Sequence, residues 1–196
     1  MTQQLTDDEI ARHNALYERG WDLTRGEMHL AEGGAGRRVG WFGRRKLKTA
    51  IECFQQALHI NPDGWPSMWA LGKIYQRLGE HATSLQWFER AHELNPAQPD
   101  VAREGGLAAM DVGDSRVAVR LCSAAVSIDP GDAGLVANLA LAHVLNGNDA
   151  MALECAERAI SMNPHDGISL KVRDFVHEVS SGSRERPKRF ADVFPH

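Results

Sequence analysis

This chain of 196 residues lacks most of what a chemical site is built from. Cysteine is scarce. Cys53, Cys122 and Cys155 form an odd set without Cys-x-x-Cys spacing, which excludes a disulfide framework and a paired thiolate metal site. They read instead as small buried side chains in a reducing compartment. No nucleophile elbow, phosphate-cradling glycine loop or His-Glu-x-x-His helix is present. Nine histidines are scattered, with His81, His92 and His165 near separate turns, and none lies four residues from another. Neither a metal, a cofactor nor an enzymatic activity is expected. No apolar run approaches the 18 residues of a membrane span. The opening MTQQLTDDEI lacks the basic and apolar regions of a secretory signal, so the expected location is cytoplasmic. Negative charge is missing from one stretch. Residues 33–50 hold Arg37, Arg38, Arg44, Arg45, Lys46 and Lys48 with no acid. The net charge is −4 and the segment 181–196 carries a net +2, so the remaining body carries −12.

What the chain does have is a ruler. Pro62, Pro96, Pro130 and Pro164 are spaced 34 residues apart, and Gly79, Gly113 and Gly147 keep the same step. A fixed period of this size marks a helical repeat array rather than a single globular core. Thr6-Asp7-Asp8-Glu9 fits a helix capping box, and Ile10, Leu16, Leu23 and Leu30 predict an amphipathic helix to about Glu32. Five glycines in GGAGRRVGWFG (33–43) predict a loop or hairpin tip. A second helix begins near Arg44 and closes at Asn61-Pro62, since proline cannot continue a helix. Helix pairs then follow over Ser67–Leu78 and His81–Leu94, Pro99–Val112 and Ser115–Ile128, and Ala133–Asn146 and Ala150–Met162. Each pair folds back on its glycine. Ala57, Ala91, Ala125 and Ala159 mark close helix approaches, and three residues earlier Phe54, Phe88, Cys122 and Ala156 form a shrinking series of knobs. Gly105-Gly106 would weaken its helix by roughly 1 kcal/mol per glycine, predicting a bend or fray.

The stretch WPSMWALGKIYQRLGEHATSLQWFERAHELNP, Trp65 to Pro96, resembles a tetratricopeptide repeat. Leu71-Gly72, Tyr75, Gly79, Phe88, Ala91 and Pro96 occupy the signature positions, with Ser84 at the small-residue place where the other repeats have Ala50, Ala118 and Ala152. His143 takes the tyrosine place of the fourth repeat, as a packing residue. The resemblance implies an all-α, right-handed superhelix of about four helix-turn-helix repeats. A domain over 1–180 holds repeats at 13–64, 65–98, 99–132 and 133–166, and a capping helix at 167–180. Residues 181–196 are expected to form a flexible tail. Aligning Gly20 with Gly72 exposes an insertion of about 18 residues in the first repeat, at 27–44, which should lengthen both helices of that hairpin.

The family binds peptides or partner proteins in a concave groove lined by the first helix of each repeat. The resemblance therefore implies a non-enzymatic adaptor or scaffold. Tyr17, Trp21, Trp69, Lys73, Arg103, Asn138, Lys171 and Phe175 fall at groove-facing places, accompanied by Gln76, Leu107, Met110 and Leu141. Against the Lys and Asn clamp of the family's chaperone-tail binders, Trp69, Lys73, Glu104, Gly134 and Asn138 do not match from the second repeat. One repeat later only Asn138 matches, which disfavours that subclass. A secretion-type or assembly chaperone is an alternative. So is a regulatory subunit acting through the basic hairpin, where Arg37, Arg38, Arg44 and Arg45 surround Trp41 and Phe42 and suit an acidic surface. Nucleic acid is disfavoured by the acidic body. Ile168, Val172, Phe175 and Val179 form one apolar stripe on the cap, a homodimer surface if exposed.

Overall fold

The helices begin and end where local chemistry requires. The computed structural model describes residues 5–28 and 39–193. Among them are nine α-helices: α1 (Asp7–Met28), α2 (Trp41–Ile60), α3 (Trp65–Leu78), α4 (His81–Leu94), α5 (Pro99–Val112), α6 (Ser115–Ile128), α7 (Ala133–Leu145), α8 (Asp149–Met162) and α9 (Gly167–Ser180). One 3-10 turn follows at Phe190–Asp192. At the start of α1 the Thr6 amide donates to Glu9 Oε2 (2.9 Å) and the Glu9 amide to Thr6 Oγ1 (3.3 Å), so the capping box forms as read. Gly79, Gly113 and Gly147 adopt φ of 80°, 90° and 78°, the left-handed conformation that ends the first helix of a pair and turns the chain back. Asp114, Asp132 and Asp166 cap α6, α7 and α9 by accepting from backbone amides.

The chain forms two compact units, Met1–Leu94 and Asn95–His196. In the first, α1 packs on α2, α2 on α3 and α3 on α4, and α1 also reaches α3. Leu47, Phe54, Leu71 and Ile74 are its buried centre. In the second unit α7 is central and meets α5, α6, α8 and α9. This explains why its sequence is apolar on every side: Leu135, Val136, Leu139, Leu141 and Val144 are all buried.

The pairs are fitted by a small residue opposite a knob. A Cβ on Gly20 would lie 2.7 Å from the Phe54 ring, one on Gly72 2.6 Å from Phe88, and one on Gly106 2.5 Å from Cys122 Sγ. At Gly106 the Cys122 backbone nitrogen itself comes within 3.4 Å of that position. In the fourth pair the knob shrinks to Ala156 and the seat grows to Ala140, both buried. Gly105-Gly106 therefore does not fray α5, which runs unbroken from Pro99 to Val112; both glycines are buried, and Gly106 lies against Cys122 of α6. Ser84 Oγ donates to Gly72 O (2.8 Å), locking the second seat.

Three further expectations change. The helix α2 starts at Trp41 rather than near Arg44, so Trp41 and Phe42 lie in its first turn. α1 and α2 span 22 and 20 residues against 14 for α3, which adds roughly 12 and 9 Å at 1.5 Å per residue. Arg37, Arg38 and the predicted end of the first helix lie outside the described residues. On the cap, Val172, Phe175 and Val179 are buried within the chain and only Ile168, at 70% exposure, faces outward, so the stripe is not a free surface. The segment 181–193, expected to be flexible, is instead packed onto the second unit: Pro187 and Val193 are buried. Its polar sequence concealed that its arginines have acceptors waiting on α7, α8 and α9.

Candidate protein-interaction site

In the first unit, α1 and α3 bring four of the expected groove residues to one side. Trp69, Lys73 and Gln76 follow i, i+4 and i+7 along α3, a helical face, and all three are half-buried. Trp21 stands 5.9 Å from Trp69, with ring planes 42° apart. Beneath it, Phe54 meets Trp21 and Tyr17 edge-to-face at 5.7 and 5.8 Å, and Tyr17 meets Trp21 at 6.2 Å. Such contacts contribute about 0.5–1.5 kcal/mol each beyond buried area. The tryptophans are thus held rigidly by a core residue while keeping part of their surface in solvent. Trp69 Nε1 finds no acceptor among the described residues. An aromatic pair fixed in this way is the residue class that dominates recognition surfaces, because little rotamer freedom is left to lose on binding.

In the second unit the four expected residues divide. Arg103 is engaged by its own helix: Asp100 Oδ1 at 3.0 Å and the buried Glu104 side chain, Oε1 at 3.2 Å. Asn138 is half-buried on α7 and Lys171 is exposed on α9. Phe175 is buried, with the Arg184 guanidinium 4.6 Å over its ring. Lys171 and Phe175 share a shallow depression with Ile168, Asp174, Glu178 and Arg184. That Arg184 belongs to this face went unread in the sequence. The available signal was the pair Arg184 and Arg186, separated by one residue and followed by Pro187.

The start of α2 presents a basic and aromatic surface. Trp41 and Phe42 are 67% and 75% exposed and pack edge-to-face on each other at 4.8 Å, with Arg44, Arg45, Lys46 and Lys48 exposed around them.

The thiols offer no nucleophile. Burial pushes Cys122 up to about 12 and also raises Cys53 and Cys155, so all three stay protonated. No three His, Cys, Asp or Glu side chains among the described residues gather as a metal site would require. No described helix is long and apolar enough to cross a membrane.

Two family models, each described as the tetratricopeptide repeat, match residues 42–99 and 133–166. A curated relative, the transcription factor tau 131 kDa subunit of Saccharomyces cerevisiae, is 31% identical over 58 residues; the match spans 30% of this chain and 6% of that protein. The fold is similar to a crystal structure of MamA at a TM-score of 0.71 and 17% identity, covering 93% of this chain and 90% of the other. It is also similar to YrrB, described as a TPR protein with an unusual peptide-binding site, at a TM-score of 0.60 and 24% identity over 67% and 68% of the two chains.

Proposed function

The chain belongs to the tetratricopeptide repeat proteins, and from that premise we propose that it is a non-enzymatic adaptor or scaffold. In this reading a peptide or partner segment binds across the inner face of the first unit, at Tyr17, Trp21, Trp69 and Lys73. The observation that carries it is the Trp21–Trp69 pair, supported from below by Phe54 yet left partly in solvent. Lys73 lies one turn along from Trp69 and supplies a positive charge for an acidic or carboxylate-bearing ligand. The solved relative YrrB is described as having a peptide-binding site, which supports the class of ligand. Free, buried thiols at Cys53, Cys122 and Cys155 fit work in the cytoplasm.

Affinity purification of the tagged wild-type chain and of Trp69→Ala, followed by mass spectrometry, tests the reading. Trp69→Ala should lose the captured partner at least about tenfold while keeping its helical circular dichroism signal. Undiminished capture by a folded Trp69→Ala protein would remove the groove from the first unit's function.

A second reading rests on Trp41 and Phe42, which the other described residues leave exposed. Here the basic end of the hairpin docks on an acidic partner surface and the protein acts as a regulatory subunit. Partner loss confined to Arg44→Glu and Arg45→Glu would favour it over the groove.

A further inference from the structure

The 34-residue step gives an internal control for what covers the inner face. Gln76, Met110, Val144 and Glu178 occupy one register place on α3, α5, α7 and α9. In the first unit Gln76 is half-buried, whereas in the second Met110 and Val144 are completely buried and Glu178, at the outer end of the series, stays exposed. At the neighbouring place Lys73 in the first unit and Leu107 in the second are both half-buried, and burial is complete at Leu141 and Phe175, nearer the C-terminal segment. In the second unit the C-terminal segment meets all three of these first helices. Arg184 covers the Phe175 ring and pairs with Glu178 Oε2 at 3.3 Å. Arg186 Nη1 donates to Val144 O (2.6 Å) while Nη2 donates to Asp149 Oδ2 (2.9 Å), and Nη1 lies 2.9 Å from the other Asp149 oxygen. A Cβ on Gly113 would sit 3.2 Å from Lys188 O, and the 3-10 turn Phe190–Asp192 packs on α5. Arg184 Nη2 closes the loop by donating to Val193 O (2.7 Å).

A main-chain carbonyl at a helix C-terminus and a carboxylate at the start of the next helix form a two-point acceptor suited to a planar guanidinium. A lysine ammonium, a point charge without that planar fork, matches it less well. We propose that the inner face of the second unit is a peptide site for an Arg-x-Arg-Pro segment followed by an aromatic residue. Its own residues 184–193 hold it occupied in cis, so that an outside ligand of the same chemistry enters only by displacing them. The inference deepens the peptide-binding reading above and rests on it for the class of ligand, but places the site on the second unit.

The test uses full-length protein and a fluorescein-labelled peptide of residues 181–196, read by fluorescence anisotropy. A tethered competitor acts at an effective concentration near the millimolar range. The wild-type chain should therefore bind the peptide at least about tenfold more weakly than a chain carrying Arg184→Ala and Arg186→Ala. Hydrogen exchange should show amides of 184–193 protected in the wild type and released in the double variant, with α5 to α9 still protected. Peptide carrying Arg186→Ala should fail to bind the released chain. A further variant guards against misfolding of the double variant: adding Asp149→Asn to the released chain keeps Val144 O as acceptor but removes the carboxylate, and should weaken binding of the native peptide at least about tenfold. Released tail amides with no gain in peptide affinity would overturn the proposal, as would undiminished peptide binding by the released chain carrying Asp149→Asn. Either failure leaves the Trp69→Ala capture result standing on its own, since that residue lies in the other unit.

Discussion

Gly106 holds a hydrogen where any other residue would place a Cβ 2.5 Å from Cys122 Sγ. Gly106→Ala should therefore destabilise the protein by about 1–3 kcal/mol, the usual cost of overpacking a fitted core. The chain contains its own remedy in the buried pair Ala140 and Ala156 at the same two places of the next repeat. The double variant Gly106→Ala/Cys122→Ala should recover part of that loss, a positive coupling measurable in a urea double-mutant cycle. Half of this relation was legible in the sequence. The series Phe54, Phe88, Cys122 and Ala156 announced knobs of falling size, but the double glycine looked like a weak helix because its partner lies 16 residues away. His143 supplies a pH-dependent counterpart. It is buried and its Nδ1 has no partner among the described residues, so desolvation lowers its pKa. The unfolded chain takes up its proton near pH 6.5, before the folded chain does. Stability from this site is complete above that pH and is lost as the pH falls below it. His143→Tyr, which restores the residue type found at Tyr75, should flatten the fall in melting temperature between pH 7 and 5.

Helix boundaries were the most readable feature at the scale of elements, because proline and left-handed glycine act through the backbone alone. Six of the helices, α3 to α8, both begin and end within two residues of the predicted positions. Two glycines separate conformational need from space. Gly147 has φ 78° with nothing within 4 Å of where an added methyl would sit, so Gly147→Ala should cost about 1–2 kcal/mol through backbone strain alone. Gly167 is equally open but starts α9 without a positive φ, and Gly167→Ala should be neutral or stabilise by up to about 1 kcal/mol. Opposite shifts in urea midpoint at unchanged slope would establish that the conformation of the turn, and not its packing, selects glycine. The segment 181–193 resisted this kind of reading. Its contacts run through Arg186 to Val144 O and Asp149, 42 and 37 residues away, and no local periodicity encodes such distances.

Across the whole molecule the charge is divided by position: Arg44, Arg45, Lys46 and Lys48 are exposed on α2 of a chain whose net charge is −4. The aromatic face at Trp21 and Trp69 and this basic end would draw on different forces, so salt distinguishes them. Contacts to Trp69 are short-ranged and survive screening, whereas solvent-exposed charges more than about 8 Å apart are largely screened at 0.15 M salt. Once a partner is captured, its affinity for the wild type, for Trp69→Ala and for Arg44→Gln/Arg45→Gln should be measured between 0.05 and about 0.3 M salt. Removing the tryptophan should lower affinity by a similar factor at every salt concentration. Removing the arginines should lower it chiefly at low salt and leave a shallower dependence on ionic strength, with the loss concentrated in the association rate. If the arginine variant instead loses affinity equally at high salt, its guanidinium groups are buried against the partner, and the basic end is the anchor rather than a guide.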